Sequence, residues 1–456
     1  MLVVEIDWRS EFLKNDSAVM TEGSYRRKIV YFAIPIFFGS LFQQLYSTAD
    51  SLIVGNFLGS SALAAVSSSG NLIFLLIGFI QGLTIGCSVV IARFIGARDH
   101  RMTSLAVHTT VALGLVSSVA LTLIGIFLAP QILRLMSTPE EIMDQSVEFF
   151  RMYFLGSTGF VMYNTLVSIL QASGDSKHPV YYLIIASVLN ILLDLLFIGV
   201  LGFGVGAAGV ATSISQTVSA LLALHQLMNL NSSCRVSLRK VRFQPQILKM
   251  IVKFGLPSGL QNSIIGLSNV IIQSYINFYG KNAVAGIGSY CKVEGFAFLP
   301  VTCFTMALTT FVAQNLGAKE YERIRAGVRF GTVCTLVLAE GLGMMLFVFS
   351  PQLIGAFDST PAVVAFGVAR AHVCGPFFFL VAFTHVMAAV MRGAGKAMIP
   401  MLVMMICWCA VRIVTLSVVG MFYQTIQTTY WVYPLTWLLS SIAFLFCYRG
   451  LDFTKL

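Results

Sequence analysis

Apolar stretches of about 18 residues or more recur along almost the whole chain, each long enough to cross the roughly 30 Å hydrocarbon layer of a bilayer. Backbone polar groups in lipid must be paired within the protein. Spans of this length are therefore helices, and the short alternating strands of a barrel are not what the runs look like. Composition points the same way: 57% of the 456 residues are hydrophobic and 11% charged, with mean hydropathy +0.84. A soluble domain carries roughly 25% charged residues and could not hide this much apolar surface.

Twelve spans are expected, at 29–54, 63–91, 104–129, 148–171, 179–202, 206–230, 250–276, 284–312, 328–350, 368–391, 398–420 and 429–448. Arg26, Arg27 and Lys28 precede the first run in the manner of a signal peptide, but that run is long, lacks a small-residue cleavage pattern and is followed by further spans, so it is expected to stay. The chain divides into an N-terminal segment 1–25, a six-helix lobe 26–230, a basic linker 231–249 and a second six-helix lobe 250–450. Of the 29 Lys and Arg residues, 23 fall in the segments on one side of the membrane, including Arg392 and Lys396. That side is read as cytoplasmic, with both termini and the linker there and the protein in the cell's inner (plasma) membrane. The formal charge of +10 is thus a topology signal and not a nucleic-acid-binding face. The nine cysteines lie mainly in apolar runs, and the i, i+2 spacing of Cys407 and Cys409 puts them on different helix faces, so neither a disulfide framework nor a metal site is expected.

A repeat appears on shifting the chain by about 221 residues. Phe57-Leu58-Gly59 with Ala62 and Ala64 meets Phe278-Tyr279-Gly280 with Ala283 and Ala285; Gly96-Ala97-Arg98-Asp99 meets Gly317-Ala318-Lys319-Glu320; Gly174 with Pro179 meets Gly395 with Pro400; and Pro35 meets Pro257. An ordered series of this kind marks a duplication. With six spans each, the halves enter from the same face and are related by a pseudo-two-fold axis along the membrane normal. The fold expected is an all-α integral membrane protein of twelve helices in two six-helix lobes around a cleft, a transporter architecture. A channel would want a ring of subunits around a filter sequence, and none is evident.

Several polar residues interrupt the apolar runs with helical spacing. Gln43, Tyr46 and Asp50 are spaced 3 and 4 apart in the first span and share one face; Asn190 and Asp194 do the same in the fifth, and Thr212 adds a hydroxyl from the sixth. A carboxylate there must face protein or water. Two carboxylates close together at low dielectric share a proton, raise their pKa values or bind a cation. A Na⁺ site would take their oxygens with the Asn190 carbonyl and the Thr212 hydroxyl; a H⁺ site needs only the carboxylates and donors such as Tyr46. Interhelical glue is the plainer reading. Pro35 and Pro257 each remove a helix hydrogen bond and offer a bend that could couple to the charge of the acids, or simply a static kink.

The second half differs. Ile271 or Ile272 stands where Asp50 would repeat, and Val411 and Thr415 where Asn190 and Asp194 would. Gln261, Asn262, Asn269, Gln273, Glu294 and His385 are candidates to line a substrate path, with Glu294 pairing with Lys292 or Arg370 and His385 as a satisfied interior histidine as the alternatives. The 36 Phe and 19 Met residues could line an adaptable apolar cavity. The glycine-rich run 202–209 joins two apolar helices and lacks a phosphate loop's lysine followed by Ser or Thr, so neither nucleotide nor ATP-driven work is expected.

These residues closely resemble the multidrug and toxic compound extrusion (MATE) family over roughly 26–450, through Pro35, Gln43, Tyr46 and Asp50, the Gly59 to Ala65 turn, Gly96-Ala97-Arg98-Asp99, the segment Gly174 to Pro179, Asn190 with Asp194, and Gly206-Ala207-Ala208-Gly209. The resemblance implies a secondary antiporter, not an enzyme and without a cofactor, that exports small amphipathic, mostly cationic compounds against inward H⁺ or Na⁺ by alternating access. Residues matching Asp50, Asn190, Asp194 and Thr212 carry the cation in such proteins, with those matching Gln43 and Tyr46 in its network. The norfloxacin-exporter branch also has an acid on the seventh helix; Ile265 stands at that position here, which speaks against a second-lobe ion site and against that branch. A monomer is expected to function. The competing reading is a flippase for a lipid-linked precursor, which would want a strongly basic cavity; Arg370, Arg392 and Arg412 are the residues that keep it open.

Overall fold

The computed structural model describes residues 19–135, 138, 140–422 and 425–455, so most of the N-terminal segment 1–25 lies outside the described residues. Apart from turns, they are helical. We number the membrane-length rods α1 (Tyr25–Leu58), α2 (Ser60–Gly96), α3 (His100–Phe127), α4 (Glu140–Leu155 continued by Ser157–Ala172), α5 (Lys177–Val200), α6 (Gly206–Asn229), α7 (Pro245–Asn277), α8 (Lys281–Gly317), α9 (Tyr321–Gly355), α10 (Pro361–Gly393), α11 (Met398–Met404, Met405–Val411 and Arg412–Phe422 in succession) and α12 (Ile426–Arg449). Ten are long and apolar enough to span a bilayer, eleven with the bent α4. The twelfth, α7, is 33 residues long, with Gln261, Asn262, Asn269 and Gln273 interrupting its apolar run, and it is sheltered by packing against α2.

The rods depart from the expected spans where local chemistry intervenes. The fourth starts at Glu140 and bends by 47° at Gly156, where α6 presses so closely that a Cβ would run into Ser213. Pro376 opens a 3₁₀ turn, Gly375–Phe377, inside α10. A π-helical turn, Leu195–Val200, follows Asp194 in α5, and another, Met405–Val411, precedes Arg412 in α11. In the glycine-rich run Gly202 makes a turn at φ 67° with open space around it, whereas Gly206 and Gly209 are close-packed: a Cβ on Gly206 would come within 2.6 Å of Glu148 Oε1. Pro35 and Pro257 sit inside continuous helices.

Duplication is written in the backbone as well as the sequence. Gly59 and Gly280 have φ of 85° and 86°, Arg98 and Lys319 of 55° and 62°, and Gly174 and Gly395 of 94° and 77°. Each pair stands 221 residues apart. Such left-handed turns are costly for Arg and Lys, so their recurrence marks the same tight connection built twice. In the first copy Asp99 caps α3 by accepting from Met102 N at 2.9 Å.

Helices α1–α6 and α7–α12 form the two lobes, joined through α2 against α7 and α8 and through α1 against α8. At the end where the basic residues gather, α1 packs Ile29, Phe32, Ala33 and Ile36 into the core of the second lobe. Reciprocally, α7 sends Ile247, Ile251 and Phe254 into the first. Backbones meet at Gly82 with Gly259 and at Gly86 with Gly255, then again as Gly96 against Gln314 and Gly317 against Arg93. The last two contacts are each other's image under the repeat, as a two-fold axis requires. A strap completes the closure: Gln314 accepts from Met20 N at 2.6 Å and donates to Ala172 O at 2.7 Å, while Arg323 donates to the Met20 and Gly23 carbonyls. Large apolar side chains such as Val337, Phe446 and Leu123 are at least half exposed around the outside, where lipid would cover them.

Candidate functional site

Two clusters of buried polar residues and one cavity stand out. The first cluster lies in the first lobe, where α1, α5 and α6 converge. Asp50 approaches from α1, Asn190 and Asp194 from α5, and Thr212 and Gln216 from α6. Asn190 and Asp194 are fully buried. Asn190 Nδ2 donates to Thr212 Oγ1 at 3.4 Å, and Thr212 in turn donates to Ala208 O at 3.0 Å. The Asp50 and Asp194 carboxyl groups come within contact range of each other, and the Tyr46 hydroxyl lies within reach of Gln43 and Gln216.

The unmet valences define the cluster's chemistry. Asp50 Oδ1, Asn190 Oδ1, both carboxyl oxygens of Asp194 and Gln216 Oε1 are buried and have no donor among the described residues. Orphaned acceptors cost about 1–3 kcal/mol each when neutral and more when charged. The four on Asp50, Asn190 and Asp194 lie together and call for something positive, a proton on the carboxyls or a metal cation among the oxygens, while Gln216 Oε1 lies toward the cavity. Pro35, four turns down the same helix from Asp50, takes no part in this cluster.

The second cluster belongs to the other lobe. Arg370 and Arg412, both almost wholly buried, stack on the Tyr433 ring at 4.4 and 4.5 Å from its centroid. Arg370 Nη2 lies 3.9 Å from Glu294 Oε2, Tyr290 donates to Glu294 Oε1 at 3.2 Å, and Arg412 Nη2 donates to Thr436 Oγ1 at 3.0 Å. Glu294 is therefore committed to Arg370 inside the lobe, the alternative the sequence left open. His385 is held edge-on between Phe298 and Trp408, and Gln261 is buried against Met404 Sδ. Neither these two nor Glu294 lines the cavity between the lobes. Of the three only Gln261 is buried; His385 is partly buried, and Glu294 keeps 24% of its side chain exposed beside Arg370.

The cavity, about 320 Å³, lies between the lobes. Asn262 does line it, donating across the lobe boundary to Gly78 O at 3.1 Å, and so do Gln43 and Gln216. Phe160 and Tyr163 supply aromatic wall. Arg392, expected at the cytoplasmic surface, also lines the cavity instead. Gln216 is the residue that sequence reasoning missed, and of Arg370, Arg392 and Arg412, the three that kept a basic cavity open, Arg392 alone lines it. Gln216 stands four residues after Thr212, the same spacing that flagged the acids.

Two six-helix lobes closing on a cavity, with buried acids in one of them, define a multi-pass membrane transporter. The MatE family pattern matches the chain twice, over residues 35–196 and 257–418, and the chain belongs to that family. Relatives include the probable multidrug resistance protein YoeA of Bacillus subtilis, 28% identical over 384 residues covering 82% of each chain. The probable multidrug resistance protein NorM of Thermotoga maritima is 25% identical, covering 88% of this chain and 86% of its own. A FAD transporter of Shewanella oneidensis is 23% identical, over 92% and 93%. Among solved structures, an outward-facing multidrug resistance MATE transporter superposes with a TM-score of 0.88 at 24% identity, covering 96% of this chain and 98% of that one. A MOP superfamily transporter from Pyrococcus furiosus does so with the same values. No relation supports the lipid-precursor flippase, and the cavity holds one basic residue where that cargo would want several.

Proposed function

We propose that the protein is a secondary antiporter that exports small amphipathic organic compounds in exchange for H⁺ or Na⁺. The observation that carries this reading is the set of four donor-less acceptor oxygens on Asp50, Asn190 and Asp194. Asp50, Asn190, Asp194 and Thr212 receive the cation, with Tyr46, Gln43 and Gln216 linking that site to the cavity. Cation entry neutralises the acids, α1 rearranges and cargo leaves; cargo binding from the other side then favours cation release. Lobes 26–230 and 250–450 move as bodies about the linker 231–249, within one monomer. The basic end faces the cytoplasm and the membrane is the inner (plasma) membrane, on the strength of the Lys and Arg distribution.

Proteoliposomes given a pH gradient or a Na⁺ gradient separately, and loaded with an amphipathic dye, test the proposal. One of the two gradients is expected to drive dye movement and Asp50→Asn to abolish it. Undiminished driven transport by Asp50→Asn would remove Asp50 as the coupling group; failure of both gradients would remove the antiport reading itself.

A further inference from the structure

Charge is distributed unevenly between the cavity and the buried acids. No Asp or Glu lines the cavity among the described residues; Asp50 and Asp194 lie about two turns beyond Gln43, outside it. The one charged group in the wall is the Arg392 guanidinium. It is half-buried at the end of α10, its Nε is buried without a hydrogen-bond partner, and no carboxylate stands within ion-pair distance of it among the described residues. The acids elsewhere in the second lobe give it no relief, since Glu294 is taken by Arg370.

A guanidinium with no carboxylate partner that faces a cavity favours an anion and repels a cation. The hydroxyls of Thr84, Thr305 and Ser168 are spent as donors to their own helix carbonyls, so Arg392 is the charged donor that the wall offers an anion, with amides such as Gln43 beside the cavity. Phe160 and Tyr163 offer apolar contact to the rest of such a molecule, and a volume of about 320 Å³ suits a small organic compound.

We infer that the cargo is an amphipathic organic anion, carrying a carboxylate or phosphate that Arg392 binds through its planar fork. The cationic cargo implied by family resemblance would meet this guanidinium and no counter-charge. The inference rests on reading the cavity as the cargo site of the antiporter proposed above. It also makes Arg392 a specificity-determining residue, separate from the acids that take the driving ion.

The test compares two dyes of similar size, anionic carboxyfluorescein and a cationic rhodamine ester, by fluorescence anisotropy on detergent-purified protein and by gradient-driven flux in neutral-lipid proteoliposomes. Wild type should bind the anion at least about tenfold more tightly than the cation, Arg392→Gln should lose that preference, and Arg392→Lys should keep part of it, which also controls for folding. Preference for the rhodamine, no binding of either dye, or equal anion binding by Arg392→Gln would overturn the inference. Driven flux of the rhodamine alone would overturn it while leaving antiport intact. Anion binding without driven flux would overturn antiport and leave the assignment of Arg392. Full displacement of carboxyfluorescein by added phosphatidylglycerol would identify a lipid headgroup in place of a cargo, and so also count against it.

Discussion

Gly86→Ala adds a single carbon at the contact between α2 and α7, yet it should redistribute the whole transport cycle. Its Cβ would stand 2.8 Å from Ile251 O and nearer still to the Gly255 backbone, whereas ordinary contact begins at 3.4 Å. The atoms in the way are helix backbone, the nearest at 2.4 Å, so no side chain can rotate aside and the lobes must part by about 1 Å. Overpacking of this kind costs about 1–3 kcal/mol. The penalty falls only on the arrangement in which the basic end is closed, so the equilibrium shifts toward opening there by roughly 5- to 150-fold. A cysteine placed at Ser88 in the cavity wall reports the shift through its reaction rate with a membrane-impermeant maleimide, applied to each face of oriented vesicles. The rate from the basic face should rise at least about fivefold and driven export should fall. An unchanged rate in a well-folded variant would show that this contact does not gate the cavity.

Three further outcomes follow from the buried polar groups. Asp194→Asn should abolish gradient-driven export while dye binding to the cavity stays within about twofold of wild type, because Asp194 is outside the cavity wall; equal loss of both would place it in cargo binding. Thr212→Val removes one oxygen beside Asn190, so driven flux should drop about tenfold where Na⁺ is the driving ion and hold where it is H⁺; undiminished Na⁺-driven flux would exclude direct ligation by the hydroxyl. Arg370→Met strands Glu294 and should destabilise the protein by about 3–5 kcal/mol, with Glu294→Gln in the same chain restoring part of it. A lowered melting temperature that the second substitution leaves untouched would show that the pair is not coupled.

Much of this molecule can be read from residue order because lipid imposes simple rules. Span length, the central polar connection and the 221-residue repeat depend on local composition, and they define the two-lobe fold. The convergence of Asp50, Asn190, Asp194 and Thr212 was legible for a related reason: spacings of 3 and 4 stack polar groups on one helical face, and such a face turns inward. Helix rotation is where legibility ends. Gln261 and Asn262 are neighbours, but one faces Met404 inside the second lobe and the other faces Gly78 across the lobe boundary. Nothing in their sequence separates them, since α7 is sheltered on more than one side. Charge left Arg392 open because a basic residue at the end of a span reads the same whether it meets cytoplasm or turns into a cavity. The π-helical turn after Asp194 was equally hidden, because one extra residue per turn leaves the run as apolar as before.

The paired contacts of Gly96 with Gln314 and Gly317 with Arg93 carry an implication about ancestry. Each half contributes the glycine to one contact and the carbonyl to the other, so a half-length chain already owns both surfaces needed to meet its own copy about a two-fold axis. A six-helix protein of this design would assemble face to face as a homodimer without new residues. Fusion of the two copies then freed each half to diverge, which is how one side of a symmetric scaffold came to bury paired carboxyls while the other buries paired guanidinium groups.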